Sequence, residues 1–163
     1  MLKKALISGL LLAMGAQQAT ADGKIFVQLP DLTSYSGAEA EAFLERVVLA
    51  NVVSSNCAGY EVTDEDWSLL TDSADLLAYG QLKLSTDDYD TTYYTPAFNA
   101  LDEAGTCEEK GPDVEVVLGE LVELGGSREA LPDQEAAYEE WRALMDRLQA
   151  EANAPAMGKT KTK

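Results

Sequence analysis

The sequence contains no histidine. This absence excludes Ser-His-Asp and Cys-His catalysis, because both use an imidazole as the general base. It also excludes the histidine-ligated forms of zinc, copper and haem sites. An enzyme built on this chain would have to work with carboxylates, lysine, tyrosine or serine alone. We therefore expect a protein that is not an enzyme, with no catalytic residues, no metal site and no cofactor.

Basic residues are also scarce. The chain has 12 lysines and arginines against 29 aspartates and glutamates, which gives a formal net charge of −17. Such a charge repels nucleic acid and anionic lipid and attracts cationic partners. Solubility, or adaptation to salty surroundings, is the simpler explanation of the same composition. The charge predicts no nucleic-acid binding and favours a basic protein as the partner.

Long apolar runs are limited to the N-terminus. Lys3 and Lys4 precede an apolar run over 5–15, and the small-x-small triplet Ala19-Thr20-Ala21 follows it. These are the three parts of a secretory signal peptide. The run is shorter than the roughly 20 residues that a membrane-spanning helix needs. The sequence predicts a signal peptide over 1–21 that is cleaved after Ala21, a periplasmic or secreted product, and no transmembrane segment in the mature chain.

Cysteine occurs only twice, at Cys57 and Cys107. Their separation of 50 residues does not fit a Cys-x-x-Cys metal or redox motif. Both follow the predicted cleavage site, and an exported protein matures in an oxidising compartment. We therefore expect a disulfide between Cys57 and Cys107.

Apolar residues recur at spacings of three and four through most of the chain, which predicts helices. The pattern predicts a small all-α bundle of about five helices over 22–152, closed by the disulfide. Pro96 lies inside the third helix and should kink or split it near 92–95. A short β-prone run, Lys24–Leu29, is expected as an extended arm with no partner strand, and 153–163 as a disordered basic tail. The predicted helices are Ala38–Val53, Thr63–Gly80, Ser85–Gly105, Asp113–Gly125 and Asp133–Glu151.

Two acidic clusters raise the question of calcium binding, because oxygen ligands suit that ion. They are Asp64–Asp66 and Asp87–Asp90. Neither has the alternating acids, central glycine and terminal glutamate of an EF-hand loop. Each follows a hydroxyl residue at a predicted helix start, Thr63 or Ser85, where capping and the helix dipole favour negative charge. Capping therefore explains both clusters.

Tyrosines near the second cluster suggest an interaction surface. Tyrosine is common at interfaces because it buries area and keeps a polar tip. Helical spacing favours a core position for Tyr89 and Tyr93, whereas Tyr94 falls off the apolar stripe and is expected to be exposed. The candidate partner-binding face consists of Tyr89, Tyr93, Tyr94, Asp87, Asp88 and Asp90.

Two stretches resemble small exported two-cysteine helical proteins of alphaproteobacteria that have no assigned activity. One is Asn56–Tyr60 leading into Leu69–Leu77, and the other is Tyr94–Phe98 leading to Gly105–Cys107. The resemblance implies a disulfide-closed helical domain and no activity. In outline the chain is also similar to the periplasmic acid-stress chaperone HdeA, although its body is more acidic and poorer in lysine.

Three functional hypotheses follow. The first is a non-enzymatic periplasmic or secreted accessory protein that binds a basic partner through the acidic, tyrosine-bearing face. The second is an acid- or envelope-stress protein with chaperone activity, because protonation of many carboxylates near pH 4 would remove self-repulsion while the disulfide holds the frame. The third is a carboxylate-based enzyme, which needs a concave pocket holding two acids in unlike environments.

Overall fold

The computed structural model describes residues 23–154, so the predicted leader and residues 155–163 of the predicted tail lie outside the described residues. Within this range the fold is all-α, as the periodicity predicts, and the only pairing of β type is an isolated antiparallel bridge between Val27 and Ala130. The elements are α1 (Gly37–Asn56), α2 (Asp64–Asp75), the π-helix π1 (Leu76–Gln81), α3 (Thr86–Tyr89), the π-helix π2 (Asp90–Tyr94), α4 (Thr95–Ala100), α5 (Thr106–Lys110), α6 (Asp113–Glu123) and α7 (Gln134–Ala152).

Helix α1 is the centre of the bundle. It contacts α2, π1, π2, α4, α5 and α6. The predicted apolar stripe is buried, but burial also extends around the second half of the helix, where five consecutive residues over 50–54 are covered. A single stripe was therefore too narrow a prediction, because neighbours pack on every side of this half. The buried residues are Ala40, Phe43, Leu44, Val47, Val48, Ala50, Asn51, Val52, Val53 and Ser54.

The second predicted helix continues past its expected end. Thr63 caps it as predicted, since its hydroxyl accepts from the Asp66 N–H at 3.2 Å. Gly80, however, lies inside π1 and does not adopt a left-handed conformation at a helix end. In this segment the residue with positive φ is Lys83, which follows π1. Leu148 of α7 packs beside Gly80, 3.7 Å from where a Cβ would lie, so this helical position would also accept alanine. Trp67, in the first turn of α2, is 40% exposed although its spacing from Leu70 and Ala74 is typical of a buried helix face.

The third predicted helix is a continuous rod of α3, π2 and α4. Ser85 caps it, accepting from the Asp88 N–H at 3.1 Å. Pro96 does not split the rod but occupies the first turn of α4, where a missing N–H is tolerated. The adjoining π-helical turn, Asp90–Tyr94, is where the regular α-helical pattern is interrupted. The rod ends at Ala100, and the segment before Cys107 is a turn rather than helix.

The N-terminal arm is extended, as predicted, and it is hydrogen-bonded to another segment. The segment that connects α6 to α7 runs beside it: the Ser127 N–H donates to the Gln28 carbonyl and the Leu131 N–H to the Phe26 carbonyl, both at 2.9 Å. The Gln134 side chain adds hydrogen bonds to both backbone groups of Phe26, at 2.8 and 2.9 Å. The arm therefore has no partner strand among residues 23–154, as predicted, but these hydrogen bonds and the single bridge at Val27 attach it to the segment before α7.

The Cys57–Cys107 disulfide is present, with 5.5 Å between the two Cα atoms. It joins the residue that ends α1 to the short helix α5, which was not predicted as a separate element. The bond therefore closes a loop that contains α2, π1 and the rod, as expected. Helix α7 begins after its cap Asp133, as predicted, and packs mainly against π1.

Candidate functional site

The three predicted acidic residues of the rod are exposed on its surface. Asp87 and Asp88 lie in the first turn of α3, and Asp90 opens π2. The capping explanation of this cluster is confirmed by the Ser85–Asp88 hydrogen bonds, which run in both directions between the two residues. These acids are accessible to solvent, so their predicted role in binding a partner stays open to test.

Tyr89 does not belong to the exposed face. Its side chain is 3% exposed and lies among three tyrosine rings, with the Tyr79 and Tyr94 rings at 5.5 and 5.2 Å between centroids and the Tyr93 ring at 6.4 Å. Burial, followed by the charge of Asp75, raises the pKa of the Tyr89 hydroxyl. The core position that helical spacing favoured for Tyr89 is confirmed, and the buried ring has little surface to offer a partner.

Tyr93 and Tyr94 are both half-buried, on neighbouring sides of the rod. The Tyr94 ring stacks near the exposed ring of Phe98, at 6.4 Å between centroids. Tyr93 faces α1 instead and lines a groove between α1 and the rod. Only part of each tyrosine is therefore available to a partner, and Tyr94 is less exposed than its position off the stripe predicted.

This groove, which we call the α1–rod groove, is a depression of about 560 Å³. Alanines on both walls keep the side chains short, so the two helices leave space between them. The residues on the α1 side occupy one face of that helix at spacings of three and four. The lining residues are Ala38, Glu41, Ala42, Glu45 and Leu49 of α1 and Thr92, Tyr93, Pro96, Ala97 and Ala100 of the rod.

The rim of the groove is acidic. Glu41 and Glu45 are exposed and one turn apart, and like charges at this spacing repel and slightly destabilise a helix. Burial, followed by the charges of these two glutamates, raises the pKa of Tyr93, so its hydroxyl stays a neutral donor. Among residues 23–154, no basic group lies within 4.0 Å of either glutamate. The neighbouring cation, Arg46, is held by Glu120 at 2.6 Å.

Glu41 and Glu45 were not singled out from the sequence. The signal was the alternation of acids with alanines at 38, 41, 42 and 45. This pattern places charge beside short side chains on one face. It could not reveal the opposite wall, because the rod lies about fifty residues further along the chain.

A second polar cluster lies under the N-terminal arm. The Lys24 ammonium bonds to Asp72 of α2 and lies 3.8 Å from the centroid of the Trp141 ring of α7. The Asp72 side chain is only 1% exposed. Burial raises the pKa of Asp72, although Lys24 and the Trp141 indole oppose this effect. Lys24 therefore connects the arm to α2 and α7 through one buried ion pair and one cation–π contact.

Asp75 lies one turn beyond Asp72 in α2. Burial, followed by the charge of Asp72, raises the pKa of Asp75 to about 7, and Lys24 and Tyr89 oppose that shift. Within the part of the chain that the structure describes, Lys24 is the one cation whose charge acts on these two poorly hydrated carboxylates. Of the two, Asp75 changes its charge near neutral pH.

The cavity beside this cluster satisfies the geometric requirement of the enzyme hypothesis. It has a volume of about 210 Å³, and both the buried Asp72 and the exposed Glu140 line it. The two acids have unlike environments, which is what acid–base chemistry by carboxylates needs. Asp72 is already paired with Lys24, however, so its carboxylate is engaged inside the protein.

No group of three or more aspartates, glutamates or cysteines within residues 23–154 is placed to hold a metal ion. No helix in that part of the chain is both long and apolar enough to cross a bilayer. Comparisons of the chain with protein-family models, with curated proteins and with solved structures found no match.

Proposed function

We propose that this is a non-enzymatic accessory protein of the periplasm or cell exterior that binds a basic segment of a partner protein in the α1–rod groove. Export is supported by the predicted leader and by the disulfide, which is typical of oxidising compartments. The observation that carries the proposal is the combination of a short-walled groove with two acids at its rim that lack a described basic partner.

The groove suits lysine or arginine side chains. Their aliphatic stems can lie along apolar walls while the charged heads stay at the rim. A bound cation would also relieve the repulsion between Glu41 and Glu45. The half-buried Tyr93 offers a ring to a cation and a hydroxyl to a backbone carbonyl. An amphipathic partner segment with basic residues one turn apart is the occupant that these features favour.

The test uses a fluorescent amphipathic peptide with lysines at positions i and i+4 and leucines on the same face. We expect binding that weakens with added salt. The double variant Glu41→Gln/Glu45→Gln should weaken binding about five- to tenfold, because each exposed charge pair contributes up to about 1 kcal/mol. The control Glu139→Gln/Glu140→Gln removes the same charge from α7 and should bind as the parent does. Equal loss in both variants would show attraction to the net charge alone, and the groove would then not be the site.

The acid- or envelope-stress hypothesis remains a second candidate. It is favoured by Asp75, a poorly hydrated carboxylate that changes its charge near neutral pH. The test is protection of an aggregation-prone client at pH 8 and after a shift to pH 4: the parent should protect only after the shift, whereas Asp75→Asn, which lacks this charge change, should protect equally at both pH values. A client that aggregates equally with and without the protein would exclude this function.

A further inference from the structure

The chain leaves α7 close to the acidic end of the rod. Near the end of α7, Glu151 accepts a hydrogen bond from the Lys83 ammonium at 2.9 Å. Lys83 precedes the first residue of α3, Thr86, by three positions. Residues beyond Ala154 therefore start on the side of the bundle where the exposed acids of α3 and π2 begin.

The rod carries an uncovered acidic and aromatic surface there, which we call the Asp90 face and define as Asp87, Asp88, Asp90, Tyr94 and Phe98. A depression of about 530 Å³ lies within it, lined by Asp90, Tyr94, Thr95, Phe98 and Asn99. Phe98 is 50% exposed, which is unusual for a large aromatic side chain. Among residues 23–154, no basic side chain lies within 4.0 Å of the three acids.

The segment that follows Ala154 has the complementary chemistry. Lys159, Lys161 and Lys163 alternate with threonines, so in an extended conformation the three lysines would point to one side. Met157 precedes them and suits an aromatic neighbour. These lysines are three of the 12 basic residues of the whole chain.

The segment is long enough to reach the Asp90 face. A row of aromatic rings leads from the end of α7 to the Asp90 face. The distances between ring centroids are 5.5 Å from Tyr79 to Tyr89, 5.2 Å from Tyr89 to Tyr94 and 6.4 Å from Tyr94 to Phe98. Tyr79 is itself close to Gln149, near the end of α7. An extended chain from Ala154 reaches about 17 Å at Lys159 and about 30 Å at Lys163, and the path along these rings is about 17 Å.

We propose that Lys159, Lys161 and Lys163 dock on the Asp90 face of the same molecule. Tethering makes each contact intramolecular, so weak charge pairs are favoured by an effective concentration in the millimolar range. The docked lysines neutralise the most acidic end of the rod and cover Phe98. The α1–rod groove lies on a neighbouring side of the rod, and this proposal does not require it.

The experiment compares amide chemical shifts of the protein with its C-terminal segment intact and of the variant Lys159→Gln/Lys161→Gln/Lys163→Gln. We expect shift changes concentrated between Asp87 and Asn99, and the same changes when 0.5 M NaCl is added to the parent. Changes spread over all acidic surfaces, or none in this range, would overturn the proposal. Changes that grow with protein concentration would show docking between molecules, which also contradicts it.

Carbodiimide cross-linking gives an independent measurement. In the monomer, the three lysines should cross-link mainly to Asp87, Asp88 and Asp90, and Asp87→Asn/Asp90→Asn should reduce that yield at least threefold. The control Glu139→Gln/Glu140→Gln should leave the yield unchanged. Cross-links to Glu41 and Glu45 instead would place the segment in the α1–rod groove and contradict this proposal. The proposed peptide binding in that groove is tested separately, with the variant Glu41→Gln/Glu45→Gln.

Discussion

Asp72 and Asp75 are one helical turn apart in α2, and the only described cation that serves them is Lys24. A buried ion pair contributes little net stability, but removal of one partner leaves an uncompensated buried charge. The two carboxylates therefore differ from the many solvated acids of this chain. Their protonation affects the fold directly.

Replacement of Lys24 by methionine should lower the free energy of unfolding by about 3–5 kcal/mol at pH 8, because Asp72 stays buried without its cation. Urea denaturation measures the change. Lys83→Met is the matched control, since it breaks an exposed ion pair with Glu151 and should cost less than about 1 kcal/mol. The double variant Lys24→Met/Asp72→Asn should recover part of the loss, and equal losses in both single lysine variants would contradict the argument.

Asp75 should make the protein less stable as the pH rises. The pKa of Asp75 is about 7 in the folded state and near its ordinary value of 3.8 in the unfolded state, so between these pH values the folded state binds the extra proton. Stability is then fully present below about pH 4 and is lost as the pH rises through 7. At about 1.4 kcal/mol for each unit of pKa difference, Asp75→Asn should be more stable than the parent by on the order of 2–4 kcal/mol at pH 8. The two proteins should be nearly equal at pH 4.

Urea denaturation at pH 4, 6 and 8 checks this dependence. Asp146→Asn, at an exposed position of α7, controls for the loss of one negative charge. Parallel pH profiles of the parent and Asp75→Asn would show that Asp75 is well hydrated. The burial argument would then fail.

At the scale of helices and loops, the sequence predicted what is decided locally. Thr63 and Ser85 cap helices as expected, because a cap needs only its own next three residues. Gly80 was wrongly predicted to end a helix, because π1 continues through it and packs against the distant helix α7, which the local sequence does not show. The segment that bonds to the arm was not predicted, because Ser127–Leu131 has no alternating apolar pattern.

The same distinction explains the candidate site. The exposed acids of the rod could be predicted from their position in the first helical turn. The groove could not, since Glu41 and Tyr93 meet only through the packing of α1 against the rod. Helical spacing favoured a buried position for Tyr89. Its contacts with three other tyrosine rings could not be predicted, because they depend on how the helices pack.

Substitution of two glycines by alanine should change the stability of the protein in opposite directions. At Gly111, between α5 and α6, a Cβ would lie 2.2 Å from the Tyr60 ring, so Gly111→Ala should lower stability by about 1–3 kcal/mol through overpacking. At Gly119, an exposed position within α6, nothing lies within 4 Å. Gly119→Ala should raise stability by about 1 kcal/mol, because alanine favours the helix. Thermal unfolding of both variants checks the pair, and two changes of the same sign would contradict this packing of Tyr60.

At the scale of the whole molecule, a net charge of −17 opposes compaction, and the core around α1 has to outweigh it. The disulfide affects the same balance by constraining the unfolded state. It ties α1 to α5 and shortens the unfolded chain by a loop of 50 residues. The self-repelling unfolded chain is therefore prevented from expanding fully.

Loss of this bond should lower the free energy of unfolding by about 4 kcal/mol, the value expected for a loop of this size. Cys57→Ala/Cys107→Ala and the reduced parent should agree within about 1 kcal/mol, because both lack the same constraint. Each loss should shrink in 0.5 M NaCl, where screening makes the unfolded chain more compact without the cross-link. Urea denaturation measures the loss in free energy of unfolding for the double variant and for the reduced parent, each at low and at high salt. A loss that does not change with salt would show that charge repulsion in the unfolded chain plays no part, and that the disulfide acts through chain entropy alone.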